Sequence, residues 1–170
     1  YGNVVSLTQT IGPSMGSKVA TKGLGFLYAV TSGSYLGMYE PGKRVHSFIS
    51  PTLIGNKKNI ILALGGAGGN KIVTSIAQIT SRYFQQKKSL KEALFYPRVY
   101  PDKDTLLLEN HIELNNLSLK LNSINNLNYK YIEEKARFGR IHAVALDTIN
   151  NLWIGAADPD WEGSVEILKK

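Results

Sequence analysis

Apolar and polar positions alternate from the first residues of the chain. Val4, Ser6, Thr8 and Thr10 alternate with Val5, Leu7 and Gln9, a β-branched pattern that predicts a strand over Val4–Thr10 with one face buried. A Gly/Pro/Ser stretch, Gly12–Gly16, breaks it. Leu24–Thr31 reads as a second strand, and a polar loop rich in Gly and Tyr runs from Ser32 to His46. Loops of that length are usually functional or mobile. The near-continuous apolar runs Ile49–Ile54 and Asn59–Gly65, joined by Gly55-Asn56-Lys57-Lys58, predict a hairpin buried enough to be sheet core.

From Asn70 the period lengthens to that of a helix. Ile72, Ile76, Ile79 and Tyr83 fall on one face of a predicted helix reaching Gln86. Ser89 caps a short second helix carrying Leu90, Ala93 and Leu94, which Pro97 ends. Thr105–Glu109 reads as a strand, His111–Asn122 as a helix with Ile112, Leu114, Leu117 and Leu121 apolar, and Asn125–Asn128 as a turn. Arg140–Thr148 and Asn151–Ala157 predict a terminal hairpin over Ile149-Asn150, followed by the acidic tail Asp158–Glu166. Strands at both ends with two helices between them predict an α+β layered domain.

At 170 residues, 43% hydrophobic and 19% charged, the composition is that of one globular domain or most of one. No apolar run in this stretch is long enough to span a bilayer. The chain opens on Tyr1-Gly2-Asn3, a turn pair leading straight into a strand with no initiator methionine, as expected of a fragment or processed chain. With no cysteine, thiol catalysis, disulfides and Cys-based metal sites are excluded for these residues. His46, His111 and His142 lie far apart and share no metal-ligand spacing, so neither a metal nor another cofactor is expected. The net charge of +7 invites a nucleic-acid reading, but the basic residues are dispersed. Lys22–Ala29 nearly spells an RNA-recognition strand, yet Leu24 and Ala29 stand where stacking needs aromatics. No nucleic-acid partner is expected.

Chemistry is suggested by Gly65-Gly66-Ala67-Gly68-Gly69-Asn70, between an apolar strand and an amphipathic helix. Backbone N–H groups there are unshielded by side chains and lie where a helix begins, a setting that holds a carboxylate, a phosphate or an acyl-transfer oxyanion. A dinucleotide fingerprint would need glycine where Lys71 stands, and a P-loop would need G-K-[ST] where Asn70-Lys71-Ile72 stands. An oxyanion-hole pair at Gly68-Gly69 and a plain tight turn both remain.

The surroundings separate them. Pro41-Gly42-Lys43-Arg44, Ser47 and Ser50-Pro51-Thr52 lie upstream; Gln78, Glu92-Ala93, Pro97-Arg98, Gly155-Ala156-Ala157-Asp158-Pro159 and Gly163 lie downstream. In this order and spacing, over about Gly2 to Gly163, the chain resembles the small subunit of γ-glutamyltranspeptidases, a family of N-terminal-nucleophile (Ntn) hydrolases. The resemblance implies half of an αββα sandwich, an antiparallel sheet with helices on one face, spanning 1–170 as one domain. The other half would come from a large subunit of the same precursor. It also implies amide hydrolysis or acyl transfer through an acyl-threonine, on a small-molecule or peptide amide, with periplasmic or secreted placement.

In that family the nucleophile is the small subunit's own N-terminal threonine, whose amine acts as base. The match puts it roughly nine residues ahead of Tyr1. Thr10 aligns with a second threonine that supports the nucleophile's hydroxyl, although a threonine closing a strand is common in any sheet. Gly68 and Gly69 align with the pair whose N–H groups hold the oxyanion. Ser47 aligns with the first of two serines on the substrate's α-carboxylate, the second being Phe48 here; Arg44 and Lys43 match a basic block in which a structural ion pair competes with substrate contact. The segment Ala29–Tyr35, where the family places carboxylates on the γ-glutamyl ammonium, contains none. The alternative is therefore a non-catalytic relative kept as a structural or binding module.

Overall fold

The computed structural model of the chain describes residues 2–31, 40–42, 44, 46–111, 114, 128–134 and 138–166. They form two compact units, Tyr1–Leu7 with Ile49–Lys170, and Thr8–Phe48. In chain order the elements are β1 (Thr52–Gly55), β2 (Ile60–Ala67), a single 3-10 turn (Gly69–Lys71), α1 (Ile72–Phe84), α2 (Leu90–Phe95), β3 (Val99–Asp102), β4 (Thr105–Glu109), β5 (Asn128–Ile132), β6 (Arg140–Asp147) and β7 (Leu152–Ala156).

The larger unit is built on an antiparallel four-stranded sheet in the order β1-β2-β6-β7. Alternation assigns its two faces. Leu62 and Leu64 of β2 and Ile141, Ala143 and Ala145 of β6 pack against Ile72, Ile76 and Ile79 of α1 and Leu90, Ala93 and Leu94 of α2. The opposite face carries the row Leu53, Ala63, Val144 and Gly155, with no helix on it among the described residues. This is the α+β arrangement expected, a sheet with its helices on one face. Ser89 and Glu92 form a reciprocal capping box at the start of α2. A second sheet, β3-β4-β5, pairs β3 with β4 antiparallel and β4 with β5 in parallel. Leu108 and Leu114 are its small core, with Val99, Tyr129 and Tyr131 against them.

Polar side chains of α1 fix the segment between α2 and β3. Gln78 donates to the Val99 carbonyl at 2.8 Å and accepts from the Val99 amide at 3.0 Å, pairing with β3 as a strand would. Arg82 donates to the carbonyls of Tyr96 and Pro97, closing the end of α2. Together they set the position of Arg98.

Several expectations are corrected. Val4–Thr10 joins no ladder among the described residues; Ser6 Oγ donates to the Leu64 carbonyl at 2.9 Å, while Val5 and Leu7 are exposed. Alternation alone makes no strand when no neighbour takes the backbone groups. Leu24–Thr31 contributes one isolated bridge, Ala20 to Leu27, supported by Tyr28 N–H on the Val19 carbonyl. The helix expected from Asn70 begins at Ile72 after the 3-10 turn and ends at Phe84. Asn128 opens β5 rather than closing a turn. The terminal hairpin turns over Thr148–Asn151, not over two residues, because the Asp147 carboxylate accepts the amides of Ile149 and Asn150. Of the expected helix His111–Asn122, Leu114 is helical and buried, and all the rest but His111 lies outside the described residues, as does most of the Ser32–His46 loop.

Candidate functional site

The Gly68-Gly69 pair joins the end of β2 to the start of α1. Gly68 has φ 138°, and a Cβ there would stand 2.7 Å from the Gly139 Cα, so the backbone crosses Gly139 where no side chain fits. Gly69 has φ 61° with open space around it. The Gly68 carbonyl accepts the Lys71 amide at 3.3 Å, and the Gly69 carbonyl accepts that of Ile72. Their own amides precede the first i→i−3 bond, and among the described residues neither has an acceptor. No acidic side chain stands in the first turn of α1, a helix of 13 residues. Two free N–H groups at the positive end of a helix can receive an anion.

Beneath the turn lies a buried ion pair. Arg98 Nη2 donates to Asp158 Oδ2 at 2.6 Å, with both side chains out of solvent. Arg98 Nη1 donates to the Gly139 carbonyl and Nη2 to the Leu94 carbonyl, each at 2.7 Å. Asp158 Oδ2 also accepts the Ile141 amide at 2.9 Å, and the Asp158 amide donates to His142 Nδ1 at 3.2 Å. The pair therefore holds the chain at Gly139 and Ile141, the backbone against which Gly68 packs. Glu109 accepts the Arg98 amide at 2.7 Å. Burial pushes the Glu109 carboxyl above its ordinary value, opposed by that hydrogen bond and the Arg98 charge.

Thr10, Arg44 and Ser47 belong to the Thr8–Phe48 unit. Thr10 Oγ1 accepts the Gly12 amide at 3.1 Å, a local turn contact, and the residue is exposed. Arg44 and Ser47 are exposed, and Phe48 beside them is largely so. Of Ala29–Tyr35, the positions after Thr31 lie outside the described residues. Arg98 and Asp158 had no assigned role in the sequence; the available signal was that both sit in stretches of small or apolar residues that would be buried with them. Arg82 falls three residues after Ile79 on the helix's apolar face, so its burial was legible in the spacing. Among the described residues there is no cluster of three or more His, Asp or Glu able to hold a metal, and no helix long and apolar enough to cross a membrane.

Residues 1–168 match the Gamma-glutamyltranspeptidase family. The chain belongs to that family. It is 31% identical over 159 residues to the capsule biosynthesis protein CapD proenzyme of Bacillus anthracis, covering 92% of this chain and 30% of that protein. It is 28% identical over 188 residues to the glutathione hydrolase proenzyme of Pseudomonas aeruginosa, covering 99% of this chain and 33% of that one. The chain thus spans about a third of the length of these relatives. Among solved structures, γ-glutamyltranspeptidase from Pseudomonas nitroreducens complexed with L-DON superposes with a TM-score of 0.82 at 27% identity, covering 99% of this chain and 95% of that chain.

Proposed function

We propose that these residues form the C-terminal part of an Ntn hydrolase that cleaves or transfers an acyl group from an amide through an acyl-threonine. The nucleophilic threonine lies upstream of the 170 residues, and a large subunit of the same precursor completes the site. Gly68 and Gly69 receive the oxyanion of the tetrahedral intermediate, Thr10 supports the nucleophile's hydroxyl, and Ser47 and Arg44 face the acyl donor. The observation that carries this reading is the pair of amides at the head of α1 that have no acceptor among the described residues, in a chain whose residues 1–168 match the family. Such donors act where charge develops, and each contributes about 2.7–4 kcal/mol to the transition state.

The acyl donor differs from a free γ-glutamyl group. With no carboxylate in Ala29–Tyr35, a substrate ammonium would lack its counter-charge, at a cost of about 1.5–3 kcal/mol per lost charged hydrogen bond. A γ-glutamyl anilide assay on the 170-residue chain is expected to give background only, and the full precursor, after self-cleavage, to turn over. Within the precursor, kcat/KM for glutathione is expected to fall below that for an acyl donor without the α-amino group. Turnover by the short chain, abolished by Thr10→Ala, would reassign the nucleophile. A fully processed precursor inert toward every amide would leave the non-catalytic reading.

A further inference from the structure

One charged side chain beside the glycine turn has no polar partner among the described residues. Arg140 opens β6, and its Cα pairs across the ladder with Ala67, the residue immediately before Gly68. Its neighbour Ile141 points into the helix-covered core, so by alternation Arg140 stands on the other face. The guanidinium lies over the Trp161 ring, 3.5 Å from its centroid. Among the described residues it makes no hydrogen bond and no ion pair, and its Nε is buried without a partner. Asp158 and Asp160 act on its charge from nearby. The Asp158 carboxylate is held by Arg98 and the Ile141 amide.

Hydrogen bonds hold both the backbone around Arg140 and the aromatic residue beneath it. The peptide before it is anchored by Arg98 on the Gly139 carbonyl, and the peptide after it by Asp158 on the Ile141 amide. Its aromatic platform is tied to the same aspartate, since the Trp161 amide donates to the Asp158 carbonyl at 3.4 Å. An arginine seated over an indole, its flanking peptides anchored and its guanidinium without a hydrogen bond or ion pair among the described residues, is prepared for a planar anion that can take two parallel N–H bonds. A surface arginine kept only for solubility needs none of this.

We propose that Arg140, propped on Trp161, binds a carboxylate of the acyl donor whose amide reacts at the Gly68-Gly69 turn. The ligand class is an amide whose acyl chain ends in a carboxylate, such as the monoamide of a dicarboxylic acid. This rests on the acyl-transfer reading for its substrate, while the binding site stands on geometry of its own.

The test uses the full-length, self-cleaved protein and glutarate as the probe, followed by titration calorimetry. Glutarate is expected to bind the parent, at least ten-fold more weakly to Arg140→Met, and to an intermediate degree to Arg140→Lys, which keeps the charge without the fork. Trp161→Leu is expected to weaken binding several-fold, with unchanged melting of the protein. In kinetics, Arg140→Met raises KM for a glutaryl amide at least ten-fold and leaves an uncharged acyl amide unaffected. Equal glutarate affinity in the parent and Arg140→Met, or none in either, overturns the proposal; the latter result would mean that a carboxylate from the rest of the precursor occupies Arg140. Arg140-dependent glutarate binding in a protein that turns over no amide keeps the site and removes the acyl-transfer reading.

Discussion

At Gly68 and Gly69 two different constraints make glycine necessary. Gly68 needs it because the Gly139 backbone leaves no room for a Cβ, Gly69 because of its φ alone. A non-glycine residue at a left-handed φ costs about 1–2 kcal/mol and can be accommodated where space is open. Gly69→Ala is therefore expected to lower kcat by less than about ten-fold, whereas Gly68→Ala displaces the turn and lowers kcat by about 100-fold, the loss of one oxyanion donor. KM changes little in both, because the donors act on charge that appears only in the transition state. Steady-state kinetics of the two variants check the order, and a larger effect at Gly69, or one carried by KM, would contradict it. The glycines and their place before a helix were legible in the sequence. Their bed was not, because Gly139 comes from the distant residues that lead into β6 and is held there by Arg98 and Asp158, three segments that no local period connects.

At the scale of elements, periodicity identified what local burial determines. The β1–β2 hairpin, both helices, β4 and the β6–β7 hairpin were read close to their observed limits. β3 and β5 were not. β3 contains Pro101 and takes its place from Gln78 and from β4, and β5 is fixed by a parallel register on β4 that no turn announces. Tyr129 and Tyr131 alternate with polar residues, but the pattern is too short to stand alone. The joint between the two sheets carries a titration. Glu109 on β4 has its carboxyl raised chiefly by burial. Between the ordinary glutamate value and the raised one, the folded protein keeps a proton that the unfolded chain has released. Stability from this group is thus highest at low pH and falls as pH rises through the raised value. Denaturant midpoints measured from about pH 4 to about pH 7 are expected to show that decline, and Glu109→Gln to flatten it while keeping an acceptor for the Arg98 amide. An unchanged slope in the variant would place the titration elsewhere.

For the molecule as a whole, the helices among the described residues cover one face of the four-stranded sheet. The row Leu53, Ala63, Val144 and Gly155 has no helix on it among the described residues, and Leu53 and Val144 remain well exposed. On the proposed reading, a second sheet from the rest of the precursor would cover that face. Val144→Asp would place an unpaired charge in the interface, a cost of several kcal/mol. The two halves of the processed precursor are expected to separate on a sizing column in that variant and to stay together in the parent; co-elution of the variant halves would move the interface elsewhere. The central claim is that this chain completes an acyl-threonine enzyme. It is tested most directly by mixing the self-cleaved precursor with an amide donor, quenching during turnover and mapping the adduct by peptide mass spectrometry. An acyl group on a threonine upstream of Val4 is the result predicted. An acyl group on Thr10, or no adduct at all under conditions of complete processing, would contradict the account.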